Sequence, residues 1–204
     1  MKFDFEDREK KLSAKKIVKE VLIWVVEIAL VIALAFCIIK YAVEKTEMTG
    51  VSMESTLQDG DKILINKISY RIHAPERFDV VVFKQSNREH SFYNVKRIIG
   101  LPGERVHIKD NTIYINDAAV EDVVVADVMN NPGLAGDGVV LDENEYFVLG
   151  DNRNNSEDSR FANVGNITRD EIVGKAWVRL NSVAIIGKLN LKSNNTQLKQ
   201  EMAD

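Results

Sequence analysis

Cysteine, histidine and proline are all scarce in this chain, and the first two shortages each close off a chemistry. The single cysteine, Cys37, excludes an intrachain disulfide and any structural zinc site built on cysteine ligands. Three histidines are all that could supply the imidazole base of a serine hydrolase, and none has a suitable setting. His107 alternates with Val106 and Ile108, which predicts the wet face of a strand, while His73 and His90 stand among charged loop residues. Basic charge is short beyond the first nineteen residues. Those carry seven Lys/Arg against four Asp/Glu, about +3, so the rest of a chain of net charge −4 is near −7. An acidic body argues against nucleic acid as a partner. With 45% hydrophobic and 28% charged residues, the chain is globular rather than disordered.

One long apolar run is present. Val21–Ile39, VLIWVVEIALVIALAFCII, holds Glu27 as its one charge. As a helix it is about 28 Å long, close to the ~30 Å hydrocarbon core of a bilayer. Lys15, Lys16 and Lys19 precede it, whereas within the next twenty residues only Lys40 and Lys45 follow. That asymmetry predicts a cytoplasmic N-terminus and an extracytoplasmic remainder, a single-pass protein of the cell membrane. Ala33-Leu34-Ala35 has the A-x-A form of a signal cleavage site, but the apolar run continues past it and would bury the cut in lipid. Phe36 is too large to precede a lipidated Cys37. An uncleaved anchor is therefore expected. An intramembrane carboxyl is a functional candidate, and for Glu27 the plainer reading is a protonated or snorkelling side chain.

Beyond the anchor the pattern is β. KILINK (62–67), FDVVVFK (78–84), SFYNVKRIIG (91–100), YFVLG (146–150) and EIVGKAWVRL (171–180) are short runs rich in β-branched and aromatic residues. Residues 105–117 read as a hairpin, with Val106 and Ile108 answered by Ile113 and Ile115 across an Asp-Asn turn. Turns are marked at 101–104, 130–138 and 150–160. The expectation is a basic N-terminus (1–19), an anchor helix (20–43), an antiparallel β domain (44–190) with a smaller β insertion at 105–145, and a polar tail (191–204).

Just outside the anchor stands GVSMESTLQDGD (50–61), with three hydroxyls at Ser52, Ser55 and Thr56. A nucleophilic hydroxyl needs a base, and a lysine serves if it is neutral. In NVKRIIG, strand geometry puts Lys96 on the face of Ile98, with Arg97 opposite. Burial on such a face lowers a lysine's pKa from ~10.4, and two to three units need roughly 3–4 kcal/mol of desolvation. Taken alone, the segment fits a snorkelling strand lysine equally well.

The boxes GVSMESTLQDGDKILINK, FDVVVFK, VKRIIGLPGE and GDNRNNSEDSR, in that order behind an anchor, resemble the type I signal peptidases of the short, single-anchor, Gram-positive kind. These are membrane-bound Ser/Lys endopeptidases that cut signal peptides from exported preproteins, and the resemblance covers about residues 20–187. It implies a signal-peptidase fold, mainly β, with an antiparallel sheet forming a partly open barrel. It implies Ser52 as nucleophile and Lys96 as general base, with the Ser52 backbone N–H in the oxyanion hole. Ser156 matches a serine that orients the lysine, and Asp158 and Arg160 match a bracing pair. Met53, Leu57 and Val95 match positions lining apolar pockets for the small residues of an A-x-A site. Gly150, Asp151, Asn152 and Arg153 match an opening turn with a structural role. No metal or other cofactor is implied, and the partners are preprotein signal peptides, the lipid bilayer and the translocation machinery. Two positions depart from the pattern. Gly50 stands where some members add an oxyanion hydroxyl, and Ser55 where a proline is commonest.

Three rival readings stand beside this one. A self-cleaving repressor shares the Ser/Lys chemistry but carries a DNA-binding domain and no anchor. A sortase needs an extracytoplasmic cysteine. A non-catalytic, membrane-anchored assembly factor of the pilus type would have no need of both Ser52 and Lys96.

Overall fold

The computed structural model describes residues 3–85, 92–122, 124 and 127–188. The chain divides between Ala42 and Val43 into two compact units. The first is one helix, α1 (Phe3–Ala42). It runs well upstream of the expected start of the anchor, so the basic segment is helical from Phe3 onward. Its stretch Lys16–Ala42 is long and apolar enough to cross a membrane, and none of the most apolar window is covered by protein.

The second unit is mainly β. Its larger sheet takes strands β1 (Val43–Glu47), β2 (Lys62–Asn66), β3 (Val80–Phe83) and β4 (Asn94–Gly100). A smaller sheet follows, made of β5 (Arg105–Lys109), β6 (Thr112–Ile115), β7 (Ala118–Val120) and β8 (Val139–Val140). The chain then returns to the larger sheet with β9 (Glu145–Leu149), β10 (Ile167–Thr168), β11 (Ile172–Arg179) and β12 (Ala184–Ile185). The larger sheet has the order β1-β2-β11-β3-β4-β9-β10, with β12 alongside β11, and the smaller β7-β6-β5-β8. Every pairing is antiparallel.

Local chemistry accounts for the strands. β3 reads VVVF and is buried at all four positions, because apolar side chains cover both faces of the sheet there. Val80 and Val82 enter one core with Ile63, Ile65, Val95 and Ala176, while Val81 and Phe83 enter another with Ile98, Val148 and Ile172. The β5–β6 hairpin closes as its pattern predicts, with Val106 opposite Ile115 and Ile108 opposite Ile113. Asp110 and Asn111 both take positive φ, the pair of left-handed residues that a two-residue hairpin turn needs. β1, VEKTE, has no apolar alternation and is a strand only through its five-residue register with β2.

The larger sheet curls. Four strand steps separate β1 from β4, which in a flat sheet would put them roughly 19 Å apart. Yet the Tyr93 hydroxyl, one residue before β4, donates to Glu44 on β1. One core also collects side chains from β2, β3, β4 and β11 together with Met48 just after β1. The sheet is thus a partly open barrel. β4 meets β9 only from Arg97 onward, so at Asn94–Lys96 it has, among the described residues, a strand neighbour, β3, on one edge alone. That gap lies beside the loop that follows β1.

Candidate active site

The loop after β1 is tied at its base, where Met48 N–H donates to Asp61 O and Gly60 N–H to Met48 O. Gly50 has φ +84, a left-handed conformation open to glycine, and its N–H donates to Asp59 Oδ1 at 2.7 Å. A tight turn follows, in which Val51 O accepts from Glu54 N–H and Met53 O accepts from the N–H groups of Thr56 and Leu57. Met53 and Leu57 are wholly buried in the core and anchor that turn. Ser52, between exposed Val51 and buried Met53, is left half-buried at the rim.

β4 brings the lysine to it. Lys96 pairs in register with Val81 and is 5% exposed, and its Nζ lies 2.7 Å from Ser52 Oγ. Burial lowers its pKa from the ordinary lysine value to about 8, against the smaller opposing pull of Asp158, Asp151 and Glu157. A substantial fraction of the amine is therefore neutral near pH 8, and a neutral amine can accept the serine proton.

A buried polar floor supports the pair. Arg97, opposite Lys96 in the strand alternation, forms a two-pronged ion pair with Asp151, Nε to Oδ1 at 2.9 Å and Nη2 to Oδ2 at 2.6 Å. Neither side chain is exposed at all. Thr56 Oγ donates to the same carboxylate at 2.5 Å, and Arg97 Nη1 donates to Phe78 O. A second buried pair joins Arg160 to Asp158, with Nε to Oδ1 at 2.8 Å and Nη2 to Oδ2 at 2.9 Å. Asp158 Oδ2 also accepts from Gly150 N–H, and Arg160 Nη2 donates to Arg153 O. Gly150 has no room for a side chain, since a Cβ there would lie 2.2 Å from Ser156 Oγ and 2.5 Å from Ser52 O.

The residues singled out from sequence fall into three groups. Ser52 and Lys96 are in contact, and Asp158 and Arg160 form a buried pair immediately beside the Ser156–Gly150 contact. Ser156 is buried, but its Oγ has no hydrogen-bond partner, so the lysine-orienting bond implied for it is not made in this conformation. Met53, Leu57 and Val95, implied as pocket lining, are 0%, 0% and 3% exposed and are packed against Ile63, Ile65 and Val82. Strand alternation turns Val95 inward and the tight turn does the same for Met53 and Leu57, so all three are closed to solvent here. Among the histidines, His73 is exposed. His107 is half-buried rather than on a wet face, with Nε2 3.1 Å from Gly136 O and its ring near Tyr114. His90 and the tail 191–204 lie outside the described residues.

Sequence reasoning gave Asp151 a structural role in its turn but did not join it to Arg97 and Thr56. The signal for that link was nevertheless present: an arginine in VKRIIG, apolar on both strand faces, must find a buried acid.

The chain is similar in sequence to known proteins. Residues 21–181 match the family described as "Signal peptidase, peptidase S26". The chain is 36% identical over 162 residues to a "Probable signal peptidase I-2" of Synechocystis sp., covering 78% of this chain and 72% of that protein. It is 33% identical over 176 residues to "Signal peptidase IB" of Staphylococcus aureus, covering 79% and 90%. A solved signal peptidase I from Enterococcus faecalis V583 is 31% identical and matches 50% of this chain and 97% of that one, with a TM-score of 0.42.

Proposed function

The chain belongs to the signal peptidase family, peptidase S26, and removes signal peptides; from that premise we propose that it does so with Ser52 as nucleophile and Lys96 as general base. The observation that carries this reading is the 2.7 Å contact between a buried lysine and a hydroxyl at the rim of the sheet gap. Neutral Lys96 takes the Ser52 proton as Oγ attacks the scissile carbonyl. The oxyanion that forms is met by the Ser52 N–H. Protonated Lys96 then returns its proton to the departing amine, which leaves an acyl-enzyme. Water, deprotonated by the same lysine, attacks the ester, and the freed serine recovers a proton from it. Asp158, Arg160 and Ser156 hold the wall behind the lysine.

Substrate enters as an extended strand. The edge of β4 at Asn94–Lys96 and the outer edge of β1, both without a strand partner among the described residues, offer main-chain donors and acceptors for it. Met53, Leu57 and Val95 are closed to solvent here, so the small side chains of a substrate, such as alanine, reach this apolar floor only after the Ser52 turn shifts. The Lys16–Ala42 helix crosses the bilayer once, with the N-terminus cytoplasmic and the catalytic unit outside, where the preproteins delivered by the translocation machinery emerge.

Cleavage of a preprotein by the full chain in detergent tests this. Ser52→Ala and Lys96→Ala are each expected to lose at least about 10³-fold in kcat, since residues acting as a unit fail together. Ser55→Ala retains activity. Substantial turnover by the Ser52 or Lys96 variant overturns the assignment.

A further inference from the structure

The side chain of Asn152 reaches across the fold to the nucleophile turn, 101 positions away in sequence. Its Nδ2 donates to Val51 O at 3.1 Å and to Glu54 Oε2 at 3.2 Å, and its backbone N–H donates to Ser52 O at 3.1 Å. One residue therefore holds two consecutive carbonyls, those before and after the nucleophile's Cα. The first matters most. Val51 C=O and Ser52 N–H belong to one planar trans peptide unit and point in opposite directions within it. A donor that fixes the carbonyl fixes the direction of the N–H. It also polarises the unit and makes that N–H a stronger donor.

Aiming is demanding here. Gly50, two residues before Ser52, has no side chain to offer a second hydroxyl, and its own N–H is committed to Asp59. The turn also lacks a proline, and Ser55 holds a left-handed φ of +86 there, so hydrogen bonds rather than a ring fix it. Asn152 has its own support, because the adjacent Asp151 is clamped by Arg97 and Thr56, and Asn155 Nδ2 donates to Asn152 Oδ1 at 3.3 Å.

We infer that Asn152 is a positioning residue that aims the Ser52 N–H at the developing oxyanion through the peptide unit it shares with the Val51 carbonyl. This deepens the Ser52/Lys96 reading and rests on it. Asn152 touches neither substrate nor the transferred proton. Its loss therefore weakens the transition state more than the bound substrate and leaves the base alone.

The test is steady-state cleavage of a peptide spanning a signal-peptide cut site by the full chain in detergent, with Asn152→Ala, Asn152→Asp and Glu54→Gln. Ser52→Ala and Lys96→Ala are run beside them. Comparison is made on the alkaline plateau, where Lys96 is neutral in every variant. Asn152→Ala is expected to lose about 10- to 100-fold in kcat, below the cost of deleting an oxyanion donor outright, with KM within about twofold. Affinity for a peptide aldehyde, which mimics the tetrahedral intermediate, falls with kcat, and the acid limb of the Asn152→Ala profile stays near pH 8. Asn152→Asp keeps the shape but places an acceptor against Val51 O, so it loses at least as much. Glu54→Gln stays within about threefold. The inference is overturned if kcat in both Asn152 variants stays within about twofold. It is equally overturned if KM or the pH profile moves while aldehyde affinity relative to substrate does not, since that marks a general loosening. Turnover by Ser52→Ala or Lys96→Ala instead overturns the dyad itself, whatever Asn152 does. If Asn152→Ala does not fold, Asn152→Asp alone decides.

Discussion

The two sheets of the β unit bury opposite things. Among the described residues, the core around the smaller sheet is apolar throughout, with Val106, Ile108, Ile113 and Ile115 packed on Leu141, Phe147 and Leu149. The buried polar and charged residues all lie elsewhere: on β4, in the loop after β1, and in the 151–160 segment that follows β9. Burying a charge is costly unless it is paired, so a fold that gathers Lys96, Arg97, Asp151, Asp158 and Arg160 in one place has a use for them there. The smaller sheet is built for stability and the larger is built around chemistry.

The largest effect expected from this contrast is functional. Ser52→Ala and Lys96→Ala lose at least about 10³-fold in kcat with the fold retained. Ile113→Ala, in the smaller sheet, costs about 2–5 kcal/mol of stability yet leaves the turnover of each folded molecule unchanged. Paired thermal unfolding and cleavage measurements check both halves. Loss of turnover in well-folded Ile113→Ala would mean that the smaller sheet takes part in catalysis.

The next effect falls on the polar floor. Asp151→Ala strands Arg97 without a counter-charge in a wholly buried site and removes the acceptor of Thr56, so a loss of about 3–5 kcal/mol is expected in denaturant unfolding. Replacing both charges, as Arg97→Met with Asp151→Leu, recovers much of that stability because no lone charge remains. It does not recover activity, since the clamp on the 150–152 turn is gone. A double variant with full activity would reduce the floor to packing.

These two regions were unequally legible in the sequence. The hairpin of the smaller sheet could be read residue by residue, because period-two alternation and an Asp-Asn turn are local signals. Ser52 and Lys96 were legible through their box contexts and come within 2.7 Å of each other. β1, β7, β8, β10 and β12 were not read. They are two to five residues long and take their register from neighbours rather than from their own alternation. The Arg97–Asp151–Thr56 network joins positions up to 95 apart, and no local pattern marks such a pairing. The closed packing of Met53 and Leu57 and the unpaired Ser156 hydroxyl are likewise tertiary facts.

Lys96 sets the third effect, where stability and activity oppose each other. Its folded value of about 8 lies below the ordinary 10.5, so between these values the unfolded chain holds the proton more tightly. Stability therefore rises with pH across that window, and below pH 8 the full cost is present, roughly 3 kcal/mol. Lys96→Met is expected to be more stable than the parent by about that amount at pH 7, with the gap closing toward pH 10.5. In the parent, cleavage rises about tenfold per pH unit below 8 and then levels as the neutral amine saturates. A flat activity profile from pH 6 to 9 would remove Lys96 as the base. An unchanged Lys96→Met stability gap across pH would mean that burial does not shift the lysine.

The smallest effect isolates the turn itself. Ser55 holds φ +86, in the left-handed region, whereas a proline ring fixes φ near −65°. Restoring the family's commonest residue here should therefore harm rather than help. Ser55→Pro must rotate the backbone between Glu54, which Asn152 holds, and Thr56, which Asp151 holds. A loss of about 1–3 kcal/mol is expected, with kcat lowered because Ser52 sits in the same turn. Ser55→Gly, which adopts that φ freely, keeps kcat near the parent value. If Ser55→Pro instead raises the melting temperature with kcat intact, the turn has a second conformation of equal competence. The hydrogen-bonded clamp from 151–152 would then not be what holds the nucleophile.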